Sequence, residues 1–154
     1  MAARKVLLSL VSMIILFCGV VEGSAQRVIF TKNEFGGKTV EEVYSPEDAE
    51  SGDIIKVITY YNDSNRFVKK EYFFTDKSAD EKGVKRGVLY YGSNGKTVKK
   101  ELFYTDESAN ENGISRSIVY SDSDGKTTKK EVFYTDKSAS EDGVSRSIVY
   151  LDGN

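Results

Sequence analysis

The stretch Lys99–Thr128, KKELFYTDESANENGISRSIVYSDSDGKTT, is followed at once by KKEVFYTDKSASEDGVSRSIVYLDGN, Lys129–Asn154, which nearly repeats it. The spacing is 30 residues and reaches back to residue 39. Glu71, Glu101 and Glu131 correspond, as do Phe73, Phe103 and Phe133, and Arg86, Arg116 and Arg146. A diverged copy, TVEEVYSPEDAESGDIIKVITYYNDSNRFV (Thr39–Val68), carries Val43 at the Phe position and Lys56 at the Arg position. A partial unit, RVIFTKNEFGGK, precedes it, so the repeats run over about 39–68, 69–98, 99–128 and 129–154. Periods of this length mark solenoids, propellers and arrays, whose units bury surface only against their neighbours.

Each unit reads as two strands, such as Thr97–Thr105 and Ile114–Tyr120, both rich in aromatic and β-branched residues. Asn94-Gly95 and Asp124-Gly125 predict two-residue type I′ hairpin turns, in which both central residues take positive φ. The other connector reads DKSADEKG, DESANENG or DKSASEDG. Its Ser78, Ser108 and Ser138 each precede a Glu by three positions, the spacing of a capping box, and Gly83, Gly113 and Gly143 follow as left-handed stops. One helical turn is expected there.

These connectors imply registers. A two-residue turn at Asp124-Gly125 sets Arg116 opposite Phe133 and Ile118 opposite Glu131. Pairing Ile114 with Thr105 across the longer connector sets Arg116 opposite Phe103 and Ile118 opposite Glu101. Both put the same residue types side by side, which predicts a continuous antiparallel meander. On one face a row runs Phe73, Arg86, Phe103, Arg116, Phe133, Arg146; beside it Glu alternates with Ile or Val, and Lys with Tyr. The other face alternates Tyr104, Ser115, Tyr134, Ser145 and Leu102, Ser117, Val132, Ser147. Neither face is cleanly apolar. The expected fold is all-β, an open single-layer twisted sheet of tandem β-hairpin repeats, with a small barrel and a β-solenoid as alternatives.

Residues 1–25, MAARKVLLSLVSMIILFCGVVEGSA, stand apart from the repeats. Arg4 and Lys5 precede an apolar run from Val6 to Val21, and small residues end at Ala25. This is the layout of a secretory signal peptide cut near Ala25. The run is shorter than the roughly 20 residues that span a bilayer, so no stable membrane span is expected after cleavage. The cut removes Arg4 and Lys5 from 22 basic residues and Glu22 from 24 acidic ones, leaving a net charge of −3 at residues 26–154. That balance does not suit a phosphate backbone, so nucleic acid is not an expected partner. Residues 26–154 also contain no Cys, His or Trp, so an exported chain would have no disulfide.

The absence of Cys and His excludes nucleophilic or general-base catalysis by either. Glu101 and Glu131 offer a carboxylate pair of the kind glycosidases use, but they recur in every unit and read as ladder charges. DESANENG offers Asp106, Ser108, Asn110 and Asn112 at alternate positions, and DKSASEDG offers Asp136, Ser138, Ser140 and Asp142. Hard cations favour such oxygens. Helix capping explains the same Ser and Glu without a metal, and no metal or cofactor is expected. Tyr60, Tyr61, Tyr90, Tyr91, Tyr120 and Tyr150 are candidate surface aromatics for stacking on sugars; otherwise they cover their own sheet.

The segments GVLYYGSNGKTVKKELFYTD (Gly87–Asp106), SIVYSDSDGKTTKKEVFYTD (Ser117–Asp136) and ITYYNDSNRFVKKEYFFTD (Ile58–Asp76) resemble the MORN-repeat variant proteins of bacteria. The period here is longer, and the added length lies in the Ser-Ala-x-Glu connector. The resemblance implies an open ladder of β-hairpins used for binding, and some relatives of that kind are described as antitoxin-like. The expected function is that of an exported, non-enzymatic binding or structural module, secreted or periplasmic, whose partner is a protein or polysaccharide. The alternative is a self-associating element that pairs through edge strands, the last of them Ser145–Leu151.

Overall fold

A computed structural model of the chain describes residues 25–30 and 32–151. The signal-peptide reading falls on residues outside these, apart from Ala25. Nine strands follow in order: β1 (Ala25–Phe30), β2 (Gly36–Tyr44), β3 (Ile54–Asn62), β4 (Phe67–Phe74), β5 (Val84–Tyr91), β6 (Thr97–Tyr104), β7 (Ile114–Ser121), β8 (Thr127–Tyr134) and β9 (Arg146–Tyr150). They form one antiparallel sheet in chain order, with β1 and β9 as its two edges. The sheet is open, so neither the barrel nor the solenoid alternative holds.

The tight turns differ from the type I′ expectation. Gly92 N–H donates to Lys96 O at 2.9 Å, and Gly95 N–H to Gly92 O at 2.9 Å. The loop therefore holds three residues, with Gly95 alone at positive φ, 77°. The loop from Asp122 to Lys126 closes in the same way, with Gly125 at φ 90°. Among described non-Gly residues only Asp53 and Asn65 take positive φ, so Asn94 and Asp124 do not. The first loop is closed by its backbone and by Lys96 N–H, which donates to Asn94 Oδ1 at 3.0 Å; the second has a further acceptor. Asp122 Oδ1 accepts the N–H groups of Asp124 and Lys126, both at 2.9 Å, which favours a type I turn closed by one left-handed residue. The expected mid-strand register nevertheless holds, with Arg116 opposite Phe133 and Ile118 opposite Glu131. A register shift between Tyr120 and Ser121 offsets the extra loop residue.

The longer connectors are helices: α1 (Pro46–Gly52), α2 (Asp76–Lys82), α3 (Asp106–Asn112) and α4 (Asp136–Asp142), each of seven residues. That is about two turns, not one. The N-caps are Thr75, Thr105 and Thr135, with Ser45 in the first copy, and not Ser78, Ser108 or Ser138. Each Thr hydroxyl accepts the N–H of the Ser three residues on, at 3.2–3.3 Å. Thr105 and Thr135 are still extended, and their N–H groups are held by Gly83 O and Gly113 O in the preceding unit. The helix thus begins right after Thr, and the Ser-x-x-Glu spacing falls inside it. Gly83, Gly113 and Gly143 do end their helices in the left-handed conformation, as expected, with Asp53 in the first copy.

Ala49, Ala79 and Ala109 point from the helices onto one face of the sheet and are buried. Beneath the helices Ile54, Val57, Phe74, Val84, Leu102, Tyr104, Ile114 and Val132 join Ala79 and Ala109 in one apolar cluster. The sequence shows neither face as cleanly apolar, yet this helix face carries a thin core. Its Tyr–Ser alternation ends in hydrogen bonds, Tyr104 Oη to Ser117 Oγ at 3.0 Å and Tyr134 Oη to Ser147 Oγ at 3.1 Å. A register shift sets Ile114, rather than Ser115, opposite Tyr134. Ser115 instead donates to Phe133 O at 3.2 Å.

Candidate functional site

Alternation along each strand sends every second side chain to the face away from the helices. There the repeat assembles a ladder around Glu71, Glu101 and Glu131, which are only 6%, 6% and 5% exposed. Lys69 Nζ lies 2.9 Å from Glu71, Lys99 pairs with Glu101, and Lys129 Nζ lies 2.8 Å from Glu131. From the neighbouring strand Arg86, Arg116 and Arg146 reach the same carboxylates at 3.4, 3.8 and 3.3 Å. Tyr60 Oη donates to Glu71 Oε1 at 2.9 Å. Burial at such depth costs a carboxylate several kcal/mol unless cations and donors surround it, and the ladder supplies both.

The cations also stack on rings. The Arg86 guanidinium lies 4.4 Å from the Phe103 ring centre and 5.8 Å from Phe73; Arg116 lies 4.0 Å from Phe133 and 5.9 Å from Phe103. Lys69 stands 4.3 Å over Tyr60, Lys99 4.4 Å over Tyr90, and Lys129 3.9 Å over Tyr120. The row of Phe and Arg expected from the registers is present.

These contacts move the titrations. Burial, then the hydrogen bond to Glu71 and nearby carboxylate charge, pushes the Tyr60 phenol up to about 12. Burial, then the charge and hydrogen bond of Glu101, does the same to Tyr90, again to about 12. Burial pushes Glu71 up, but hydrogen bonds from Lys69 and Tyr60 and the charges of Lys69 and Arg86 outweigh it, so its carboxyl is held below its ordinary value. The Lys129 hydrogen bond holds Glu131 low. At neutral pH Tyr60 and Tyr90 are therefore neutral, and Glu71 and Glu131 are ionised beside their cations. The ladder is built to hold a sheet together.

Arg86 and Arg116 each sit between two Phe rings, whereas Arg146 has one, Phe133 at 5.6 Å. Arg86→Ala and Arg116→Ala are therefore expected to cost similar amounts, roughly 1–2 kcal/mol from lost stacking and stem packing, and Arg146→Ala less. Chemical denaturation of the three variants checks this. A stability loss confined to one of the two inner arginines would contradict the row.

The six candidate tyrosines do not form one site. Tyr60, Tyr90, Tyr120 and Tyr150 share the ladder face. Ammonium groups cover the first three, while Tyr150 on β9 is 72% exposed. Tyr61 and Tyr91 lie on the helix face, near the tight loops. Tyr91 meets Phe67 edge-on at 4.8 Å, and the two rings flank an open cleft of about 540 Å³ shared with Asn62, Arg66 and Asn94. Phe67 was not singled out from the sequence. Its equivalents are Thr97 and Thr127, and this break in the repeat was the signal.

The oxygens considered for calcium do not converge. Asp106, Ser108, Asn110 and Asn112 lie on α3, where alternate residues project to opposite sides. Asp106 binds Lys85 Nζ at 2.9 Å, and Asn112 Nδ2 donates to Ser108 O at 3.0 Å. Asp136, Ser138, Ser140 and Asp142 are spread likewise over α4. Among the described residues no three His, Cys, Asp or Glu side chains gather where a metal ion would sit, and no helix is long and apolar enough to cross a membrane. No protein-family model matches the chain, and neither does any curated protein or solved structure.

Proposed function

We propose that this chain is an exported, non-enzymatic repeat protein that works by contact, binding or building structure at the cell envelope or outside the cell. One observation carries the reading. The repeated ionisable side chains, Glu71, Glu101 and Glu131 with their Lys and Arg partners, are spent on one another within the sheet. Among the groups that face outward are the open β9 edge and the cleft beside Phe67 and Tyr91. The resemblance to MORN-repeat variants favours the same kind of role, and an antitoxin-like module is one form it takes.

Export is tested by N-terminal sequencing of the mature protein from a tagged full chain. Gln26 is the expected first residue; Met1 on the mature protein would defeat the reading. A carbohydrate ligand is a second reading, favoured by the Phe67–Tyr91 pair beside Asn62, Arg66 and Asn94, since aromatic faces with amide neighbours suit sugar rings. Retention on immobilised polysaccharides that Tyr91→Ala abolishes, with stability unchanged, would support it. Equal retention of the variant would remove it.

A further inference from the structure

Both rows of the ladder stop short at β9. Inside the sheet Arg86 and Arg116 each stand over two rings, and Tyr90 has Lys69 on one side and Lys99 on the other, at 5.9 and 4.4 Å. At the edge, among the described residues, Arg146 has the single ring of Phe133, and Tyr150 has its register partner Lys129 on one side and no strand on the other. Ile148 lies between them and is 39% exposed. The edge thus shows a cation in want of a ring and a ring in want of a cation, two residues either side of an isoleucine.

The backbone of β9 presents the same three residues. Leu151 N–H donates to Thr128 O at 2.9 Å, and Ser145 O accepts from Tyr134 N–H at 3.0 Å. Peptide groups in an antiparallel strand alternate in direction, so those of residues 145, 147, 149 and 151 face β8. The N–H and C=O groups of Arg146, Ile148 and Tyr150 face outward.

We propose that β9 pairs with β9 of a second copy of this chain, antiparallel and across a two-fold axis through Ile148. In that register Ile148 faces Ile148 of the other copy, and Arg146 faces Tyr150 in both directions. All outward N–H and C=O groups of the three residues exchange hydrogen bonds. An axis normal to the sheet keeps the two ladder faces on the same side, so each arginine gains its second ring and each Tyr150 its second cation. On the helix face Ser147 meets Val149. The sequence RSIVY is self-complementary when read antiparallel, which is what an isologous interface requires. The pairing deepens the contact reading above by naming the partner. The two are separable, because self-association is read with no outside ligand present.

Sedimentation velocity of the purified mature protein, from micromolar to millimolar, is expected to show a concentration-dependent dimer. Ile148→Lys and Ile148→Glu each set like charges across the axis and should weaken the dimer at least about tenfold, while unfolding stays cooperative. An equimolar mixture of the two variants should restore the dimer, since a Lys then faces a Glu. Should either variant fail to fold, Tyr150→Ala provides a second measure of the same loss through the outer ring. A wild-type chain that stays monomeric throughout, a dimer that survives in both charged variants, or a mixture that stays monomeric would each overturn the proposal.

Discussion

Gly113→Ala is expected to destabilise the protein by about 3 kcal/mol, and Gly143→Ala, at the same place in the next repeat, by only about 1 kcal/mol. Both glycines end a helix at φ 70°, where a side chain is strained. The space around them differs. A Cβ on Gly113 would overlap Ser138 Oγ and lie 3.2 Å from Ser138 Cβ in the following helix, whereas a Cβ on Gly143 meets nothing within 4 Å. Ser138 Oγ can rotate away only by giving up the 3.3 Å contact it accepts from Thr135 Oγ1, and its Cβ must still yield. Gly83 stands against Ser108 in the same way, with the nearest contact at 2.8 Å. The expected order by denaturant midpoint is Gly113 and Gly83 costly, Gly143 mild. Ser138→Ala should recover part of the Gly113→Ala loss. Equal losses at Gly113 and Gly143 would mean that backbone strain alone matters and that helix-to-helix stacking contributes nothing.

Glu101→Ala is expected to cost about 2–3 kcal/mol, less than a fully buried pair because its cations are partly solvated. The carboxylate is 6% exposed and joins Lys99, Arg116 and the Tyr90 phenol. Its removal leaves two cations beside each other above a buried site. Tyr90 should then ionise at lower pH, visible in its phenolate absorbance, because it loses both the hydrogen bond and the adjacent charge. A stability change under about 0.5 kcal/mol would show that the ladder is incidental to the fold.

The same ladder contributes to the pH dependence of stability at both ends of the range. Glu71 and Glu131 are held below the ordinary value of 4.5 in the folded state. Their stabilisation is complete above 4.5 and is lost as pH falls through their lowered folded values. Tyr60 and Tyr90 are raised from 10.0 to about 12, so stability is complete below 10 and declines as pH rises from there to about 12. Thermal unfolding followed against pH should therefore give a plateau with a shoulder lost at each end. Unfolding midpoints that begin to fall well above 4.5 or well below 10 would contradict these assignments.

The 30-residue period and the two-residue alternation were enough to predict a meander, its mid-strand register, and the neighbours of the repeated Glu, Phe and Arg side chains. Arg116 between Phe103 and Phe133 could be named from sequence because both depend only on counting residues along paired strands. The tight turns show how counting can succeed for an incomplete reason. A three-residue loop and a compensating bulge give the same central register as a two-residue turn, and only the hydrogen bonds and φ angles of the loop distinguish them. Helix caps were beyond reach for a similar cause. Whether Thr105 or Ser108 caps α3 depends on where the strand lets go, and that is set by the Thr105 N–H bond to Gly83 of the preceding unit. Which face carries the core, and how Gly113 becomes the seat of Ser138, also required the stacking of repeats in space. Composition and period describe one unit; contacts between units, made through backbone and small side chains without a sequence signature, were decided by the tertiary structure alone.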